Sequence, residues 1–263
     1  MSQRVTVIGG GLAGSEAAWQ LAQNDIYVDL YEMRPQRKTG AHHTDRLAEL
    51  VCSNSLGSSD AKNASALLKA EMKLLGSKVL EIAWQCRVPA GGALAVDRQQ
   101  FANAVTDAIS AHPLIEVHRE EQLAIPTDQI CIVASGPLTS ESLSGSIAQL
   151  TGQDSLHFFD AASPILTQES VNMEIAYKKS RYDKGDEAAY INCPMTKEQY
   201  SLFYEALLAG ERAELKDFEK ETPYFEACLP IEVIASRGLD TMRFGPLKPV
   251  GLEDPRTGKR AWA

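Results

Sequence analysis

The sequence predicts an α/β fold with a parallel sheet, followed by the start of a smaller α+β domain. Three observations predict it. A strand, a glycine-rich turn, a helix and a second strand follow one another within the first 32 residues. Apolar strand segments go on alternating with helical patterns as far as Pro137. Past Ser163 the alternation ends, and polar and aromatic residues mix with no further glycine turn after a strand. The expected division is therefore 1–163 and 164–263.

The first element, Arg4-Val5-Thr6-Val7-Ile8, has the near-continuous β-branched run of a buried strand. Gly9-Gly10-Gly11-Leu12-Ala13-Gly14 follows and opens a helix that reaches about Asn24, with Ala17, Ala18, Leu21 and Ala22 as its small and apolar contacts. Tyr27 to Glu32 is the second strand. Two strands joined through a helix in so short a span are expected to be parallel, with a right-handed crossover.

In that setting Gly9-x-Gly11-x-x-Gly14 acquires chemical meaning. Gly9 allows a tight turn, Gly11 lets the backbone approach a diphosphate, and Gly14 lets the helix pack on the strand. The turn and first helical residues (Gly9, Gly10, Gly11, Leu12, Ala13, Gly14) are the expected contact segment, at the positive end of the helix dipole. Glu32, closing the second strand, is placed to accept hydrogen bonds from ribose hydroxyls. A carboxylate there suits FAD or NAD and repels the 2′-phosphate of NADPH. A glycine turn without a ligand is the alternative, and the complete βαβ context argues against it. The first domain is thus Rossmann-like and dinucleotide-binding. Ile132 to Pro137 is similar to the later strand and turn that close over the nucleotide in flavoproteins with two dinucleotide folds, with Gly136 at that turn.

Between these ends, residues 34–60 are polar and rich in Gly, Ser, Asn and His, a loop long enough to be functional. Leu67, Leu68, Met72, Leu75, Val79 and Ile82 predict one amphipathic helix over 64–84, weakened in its middle by Gly76. Val88 to Leu94 is turn-rich, and Asp97 is placed to cap a helix from Arg98 to Ser110. Ile115 to His118 and Gln129 to Ala134 are further strands. In the second part, helices are expected over Lys197–Ala209 and Arg212–Lys220. The stretch Arg237 to Ala263 is dense in Gly, Pro and basic residues and reads as an interrupted domain, as in a fragment of a longer protein.

Composition bounds the function. The 44% hydrophobic and 23% charged shares are those of a soluble globular protein, with no apolar run long enough to cross a bilayer. Met1-Ser2-Gln3-Arg4 leads directly into a strand without a signal sequence, so a cytoplasmic location is expected. The net charge of −9 argues against a broadly basic nucleic-acid surface, so an RNA partner needs a local patch. Candidate patches are Arg237, Arg243, Lys248, Arg256, Lys259 and Arg260, and Lys178, Lys179 and Arg181 beside Tyr177 and Tyr182.

Five cysteines without a CxxC pair argue against a disulfide scaffold or a zinc site. His42 and His43 are candidate acid–base or ring-contacting groups, although paired loop histidines are more often solvated, and with no further ligand at metal spacing no metal is expected. Cys131 reads as core, and Cys86 and Cys193 have no evident partner. Cys228, between Glu226 and Glu232, and Cys52, in a polar loop, are candidate nucleophiles. Lone cysteines are more often small buried hydrophobes, and neighbouring acids disfavour a thiolate.

Taken together, VIGGGLAGSEAAWQLA, LYEMRP, AHHTDRLAELVCSNSLGS, VPAGGALAVDRQQF, ASGPLTS, INCPM and FEACLPIEVIASRGLDTMRFGPLKPVGLEDPRTGKR resemble the folate- and FAD-dependent tRNA (uracil-5-)-methyltransferases. The matching stretches cover nearly the whole chain. The resemblance implies FAD as the bound dinucleotide, methylenetetrahydrofolate as one-carbon donor, NAD(P)H as reductant, and the T-arm of tRNA as substrate, in which 5-methyluridine is made. It implies that Cys228 adds to C6 of uracil and that Cys52 lies near the flavin and assists in removing the C5 proton. Chains of this family continue past the segment ending at Lys259-Arg260, and the further part is expected to complete the FAD-binding domain. A related flavoprotein that modifies the wobble uridine with a partner subunit shares the Rossmann start but not FEACLPIE or VPAGGALAVDR. A catalytically silent FAD- or RNA-binding fragment is the reading of a different class.

Overall fold

The computed structural model describes residues 3–152, 166–183, 188–211 and 230–263. Contacts divide the chain into two compact units, Met1–Val88 with Ala93–Ala162 and Pro89–Gly92 with Ser163–Ala263. The expected boundary at residue 163 lies outside the described residues.

In chain order the first unit contains β1 (Arg4–Ile8), α1 (Leu12–Gln23), β2 (Tyr27–Tyr31), β3 (Ser55–Ser58), α2 (Ala64–Leu74), α3 (Lys78–Gln85), β4 (Arg87–Val88), β5 (Ala93–Val96), α4 (Arg98–Ser110), β6 (Ile115–His118), β7 (Cys131–Val133) and α5 (Glu141–Thr151). Four strands form a sheet in the order β6-β2-β1-β7. All its pairs are parallel, with Arg4 opposite Tyr27, Val28 opposite Ile115 and Thr6 opposite Cys131. Because β2 and β7 lie on opposite sides of β1, the strand order reverses at β1. The crevice beyond its C-terminal end is where such sheets bind ligands.

One face of this sheet is apolar. Val7, Val28, Leu30 and Ile115 pack against Ala18 and Ala22 of α1, Leu80 and Ile82 of α3, and Phe101, Val105 and Ile109 of α4. Asp97 caps α4 as expected, accepting the Gln100 N–H at 2.9 Å.

Three expectations need correction. The helix read over 64–84 is two helices. Gly76 takes a left-handed conformation at φ +74°, and Ser77 caps a new helix by accepting the Leu80 N–H. The apolar spacing is therefore not one face: α3 buries its side, whereas Leu67 and Leu68 of α2 are exposed. Second, the stretches read as loop and turn contain β3, β4 and β5, an antiparallel sheet in the order β3-β5-β4. These strands are four residues or fewer, and Gly57 at φ +85° lies within the irregular pairing of β3, so no alternation betrays them. Third, Cys131 is only partly buried, because among the described residues β7 is the edge strand of its sheet.

The second unit contains β8 (Tyr177–Lys178) and β9 (Ile191–Asn192), paired antiparallel, and the helices α6 (Lys197–Ala209), α7 (Ile231–Ser236) and α8 (Thr241–Phe244). Tyr200, Ala235 and Met242 form its buried centre. The expected helix over Lys197–Ala209 is present and opens with a reciprocal cap between Thr196 and Gln199. The one expected over Arg212–Lys220 lies outside the described residues. Among the described residues no helix is long and apolar enough to cross a membrane.

Candidate functional site

The site grows from the end of β1. Gly9, at φ +107°, turns the chain so tightly beside β7 that a Cβ there would lie 2.6 Å from the Ala134 carbonyl oxygen. A Cβ at Gly14 would lie 1.7 Å from the Gly9 carbonyl oxygen, so α1 meets the turn at backbone distance. At Gly10 a Cβ would strike Leu47 Cδ2 at 2.5 Å and Glu32 Oε2 at 2.8 Å. Gly11 alone of these four faces open space, with nothing within 4 Å of its Cβ position. That space belongs to an open cleft lined by Gly9, Gly10, Gly11, Glu32, His42 and Ser135, among others. Gly11 caps α1 without a side-chain bond, and no acid occupies the first turn. The helix's positive end therefore lacks an anion from its own side chains.

Glu32 is 5% exposed and bonded within the protein. Its Oε2 accepts the Gly10 N–H at 3.0 Å, and its Oε1 accepts the Arg34 N–H at 3.0 Å and Arg34 Nε at 2.8 Å. Burial raises the carboxyl's pKa, but the Arg34 guanidinium and the two backbone N–H groups outweigh it and hold the carboxyl below its usual range. A carboxylate oxygen has two in-plane lone pairs, so Oε1 is filled and Oε2 has room for one more donor.

A second layer fixes this carboxylate. Arg34 Nη1 reaches Glu49 Oε2 at 2.9 Å and donates to the Thr44 carbonyl at 3.3 Å. Glu49 also accepts from the N–H groups of His43 and Thr44 and from the Thr44 hydroxyl. Its pKa, raised by burial, is lowered on balance by those donors and by Arg34. The Ala48 N–H donates to the Gly10 carbonyl at 2.8 Å, and the Leu47 N–H donates to Thr106 Oγ1 at 2.9 Å. Residues 44–49, part of the predicted loop, thus buttress the glycine turn.

Other predicted residues fall differently. Leu12 packs on the core and Ala13 is exposed, and neither lines the cleft. Gly136, at φ +66°, is exposed just beyond the lining residue Ser135. Cys52 is exposed, its carbonyl accepting from Arg98, and is not a lining residue. Cys228 lies outside the described residues. His42 is not a solvated loop histidine: it lines the cleft, bonded to Thr39, and burial and Arg34 lower its pKa. Burial pushes up the thiols of Cys86 and Cys131, which suits neither as a nucleophile.

On the opposite face of β2 the fold gathers a cluster that sequence spacing could not reveal, Asp29, Glu116 and His118. Arg4 Nη1 sits 2.5 Å from Asp29 and 3.6 Å from Glu116, so a resident cation already serves both carboxylates. His118 Nε2 lies 2.9 Å from Asp29, and its ring stacks on Tyr31. In the second unit several predicted phosphate contacts are structural ties. Arg256 holds Asp254 and the carbonyls of Glu174 and Ile175, Arg181 holds the Lys248 carbonyl, and Lys179 pairs with Asp183.

Similar proteins match nearly the whole chain. A methylenetetrahydrofolate–tRNA-(uracil-5-)-methyltransferase TrmFO of Zymomonas mobilis is 60% identical over 98% of this chain and 58% of its own length. Proteins of the same name from Listeria monocytogenes and Bacillus velezensis are 57% and 60% identical, over 100% and 99% of this chain and 60% and 59% of theirs. The chain thus spans about three-fifths of the length of these curated relatives. The profile of the family described as Glucose inhibited division protein A (GIDA) matches residues 4–260, and the chain belongs to that family.

Proposed function

We propose that the chain binds FAD at the β1 crevice and serves methylenetetrahydrofolate-dependent C5 methylation of a uridine in the T-loop of tRNA, in the cytoplasm. One observation carries the reading: a chain about 60% identical along its length to enzymes of that name has a cleft at its glycine turn, with open space at Gly11. The donor set fits FAD. Gly11 leaves room for the diphosphate, the α1 N-terminus supplies N–H groups, and Glu32 Oε2 has one position for a ribose hydroxyl.

Held there, FAD would supply, once reduced by NADH or NADPH, the electrons that convert a methylene unit to a methyl group. The protein's part at the pyrimidine falls to two thiols. Cys228 sulfur bonds to C6 of uracil, opening the C5=C6 double bond and making C5 nucleophilic. Once C5 holds the methylene carbon, Cys52 takes the C5 proton as the bond from that carbon to its carrier breaks, and hydride added to the resulting methylene expels the Cys228 thiolate and restores the C5=C6 double bond. No metal takes part in this scheme.

The test is chemical. Purified protein is expected to be yellow and to release FAD on denaturation. Label from the folate methylene is expected in the uridine methyl, and Cys228→Ala is expected to abolish that transfer while keeping flavin. Methyl label arriving from S-adenosylmethionine would overturn the donor, and a colourless protein that cannot be reconstituted would overturn the cofactor.

A further inference from the structure

In the second unit four side chains alternate cation and ring. Lys197 Nζ lies 5.4 Å from the Trp262 ring centre, and the Arg243 guanidinium lies 3.9 Å from that ring and 5.8 Å from the Phe244 ring. The ladder is anchored through the backbone. The Trp262 N–H donates to the Met195 carbonyl at 3.1 Å, the Met195 N–H donates to the Ala263 carbonyl at 3.2 Å, and Arg243 Nε donates to the Trp262 carbonyl at 3.1 Å. Arg243 Nη1 also pairs with Asp240 at 2.7 Å, which fixes the guanidinium between the two rings.

The rings are nevertheless open: Phe244 is 75% exposed and Trp262 38%. Flat aromatic faces interleaved with cations match the two surfaces of an unpaired nucleotide, whose base stacks and whose phosphate seeks positive charge. The net charge of −9 repels RNA at large, so attachment has to be local. Arg256, Arg181 and Lys179 of the same unit are tied to its own fold, whereas Lys197 is exposed and its ammonium lies against a ring.

We propose that Phe244 and the open part of Trp262 stack on unpaired bases of an RNA loop, with Lys197 meeting an adjacent phosphate. The proposal rests on the RNA substrate of the reading above and is independent of its flavin.

The test is binding of the full chain to a labelled, uridine-containing RNA stem-loop over a range of salt concentrations. Phe244→Ala is expected to weaken binding about tenfold, the loss of one base stack. The salt slope should stay unchanged, because no charge is removed. Phe244→Tyr should restore affinity, and Trp262→Ala should weaken it while Trp262→Phe keeps most of it. Lys197→Gln should lower the log–log salt slope by about one phosphate contact. Equal affinity of the parent, Phe244→Ala and Trp262→Ala would overturn the proposal, as would absence of RNA binding or equal affinity for the stem without its loop. Flavin content, read on the same samples, separates the two hypotheses. A yellow chain insensitive to Phe244→Ala loses only the stacking surface, and a colourless chain still sensitive to it loses only the flavin.

Discussion

Glu32 Oε1 takes two hydrogen bonds from a single residue, the N–H and the Nε of Arg34, and so lies locked beside the glycine turn. Both side chains are buried, as is most of Glu49 on the far side of the guanidinium. Removing Arg34 leaves two carboxylates without their shared cation. Arg34→Met is therefore expected to destabilise the ligand-free protein by about 3–5 kcal/mol, the cost of breaking a buried pair from one side. That corresponds to a fall in Tm of roughly 10 °C. Adding Glu32→Gln and Glu49→Gln should recover part of the loss, and thermal unfolding of the variants reads both effects. An unchanged Tm in Arg34→Met would show that the network does not hold the turn.

The same network sets an acid dependence. Glu32 and Glu49 have folded pKa values below the ordinary carboxylate value, so their contribution is present above that value and is lost as pH falls through the folded pKa. His42 acts in a higher window. Its folded pKa is lowered, so below about pH 6.5 the unfolded chain binds a proton that the folded chain still refuses, and stability declines. Unfolding midpoints measured from neutral to acid pH should show two descents. His42→Gln should flatten the first, and Glu32→Gln should reduce the second. A single descent that neither substitution alters would contradict these assignments.

Thr106 ties α4 to the segment beneath the turn. Its hydroxyl donates to the Ala102 carbonyl at 2.7 Å and accepts the Leu47 N–H at 2.9 Å. Thr106→Val keeps the shape and leaves that buried N–H without its acceptor, at a cost of about 1–3 kcal/mol. Leu47 packs where a Gly10 side chain would be, so flavin retention should fall together with the unfolding midpoint. Thr106→Ser should preserve both. A valine variant with parental stability would show the bond to be dispensable.

The elements legible in the sequence are those whose signal is local. A β-branched run into Gly9 and the cap residue Asp97 before α4 each depend on neighbours within a few residues. What escaped reading depends on distant partners. Glu32 was identifiable at the end of β2, but its hydrogen bond from the Gly10 N–H, 22 residues away, follows from a fold-made pocket. Asp29 and His118 lie 89 residues apart and meet only because β2 and β6 pair. Arg34 and Glu49 stood in a polar stretch without periodicity, and a buried ion pair there leaves no pattern beyond the charges themselves.

Two glycines of one motif are expected to fail in different ways, and the contrast tests the placement of the dinucleotide. At Gly14 a methyl group would meet the Gly9 carbonyl at 1.7 Å, and neither backbone can yield without separating α1 from the turn. Gly14→Ala should destabilise the ligand-free protein by at least about 3 kcal/mol. At Gly11 the methyl group would enter open space, with φ −74° acceptable to alanine, so the cost to the fold is about 1 kcal/mol or less. The proposed function brings a diphosphate to the α1 N-terminus through that open space, so Gly11→Ala should lose flavin while its ligand-free Tm falls by no more than a few degrees. Calorimetry of the stripped proteins and flavin content after reconstitution separate the two outcomes. A Gly11→Ala protein that binds FAD as the parent does would remove the diphosphate from this crevice, whatever the stability of Gly14→Ala.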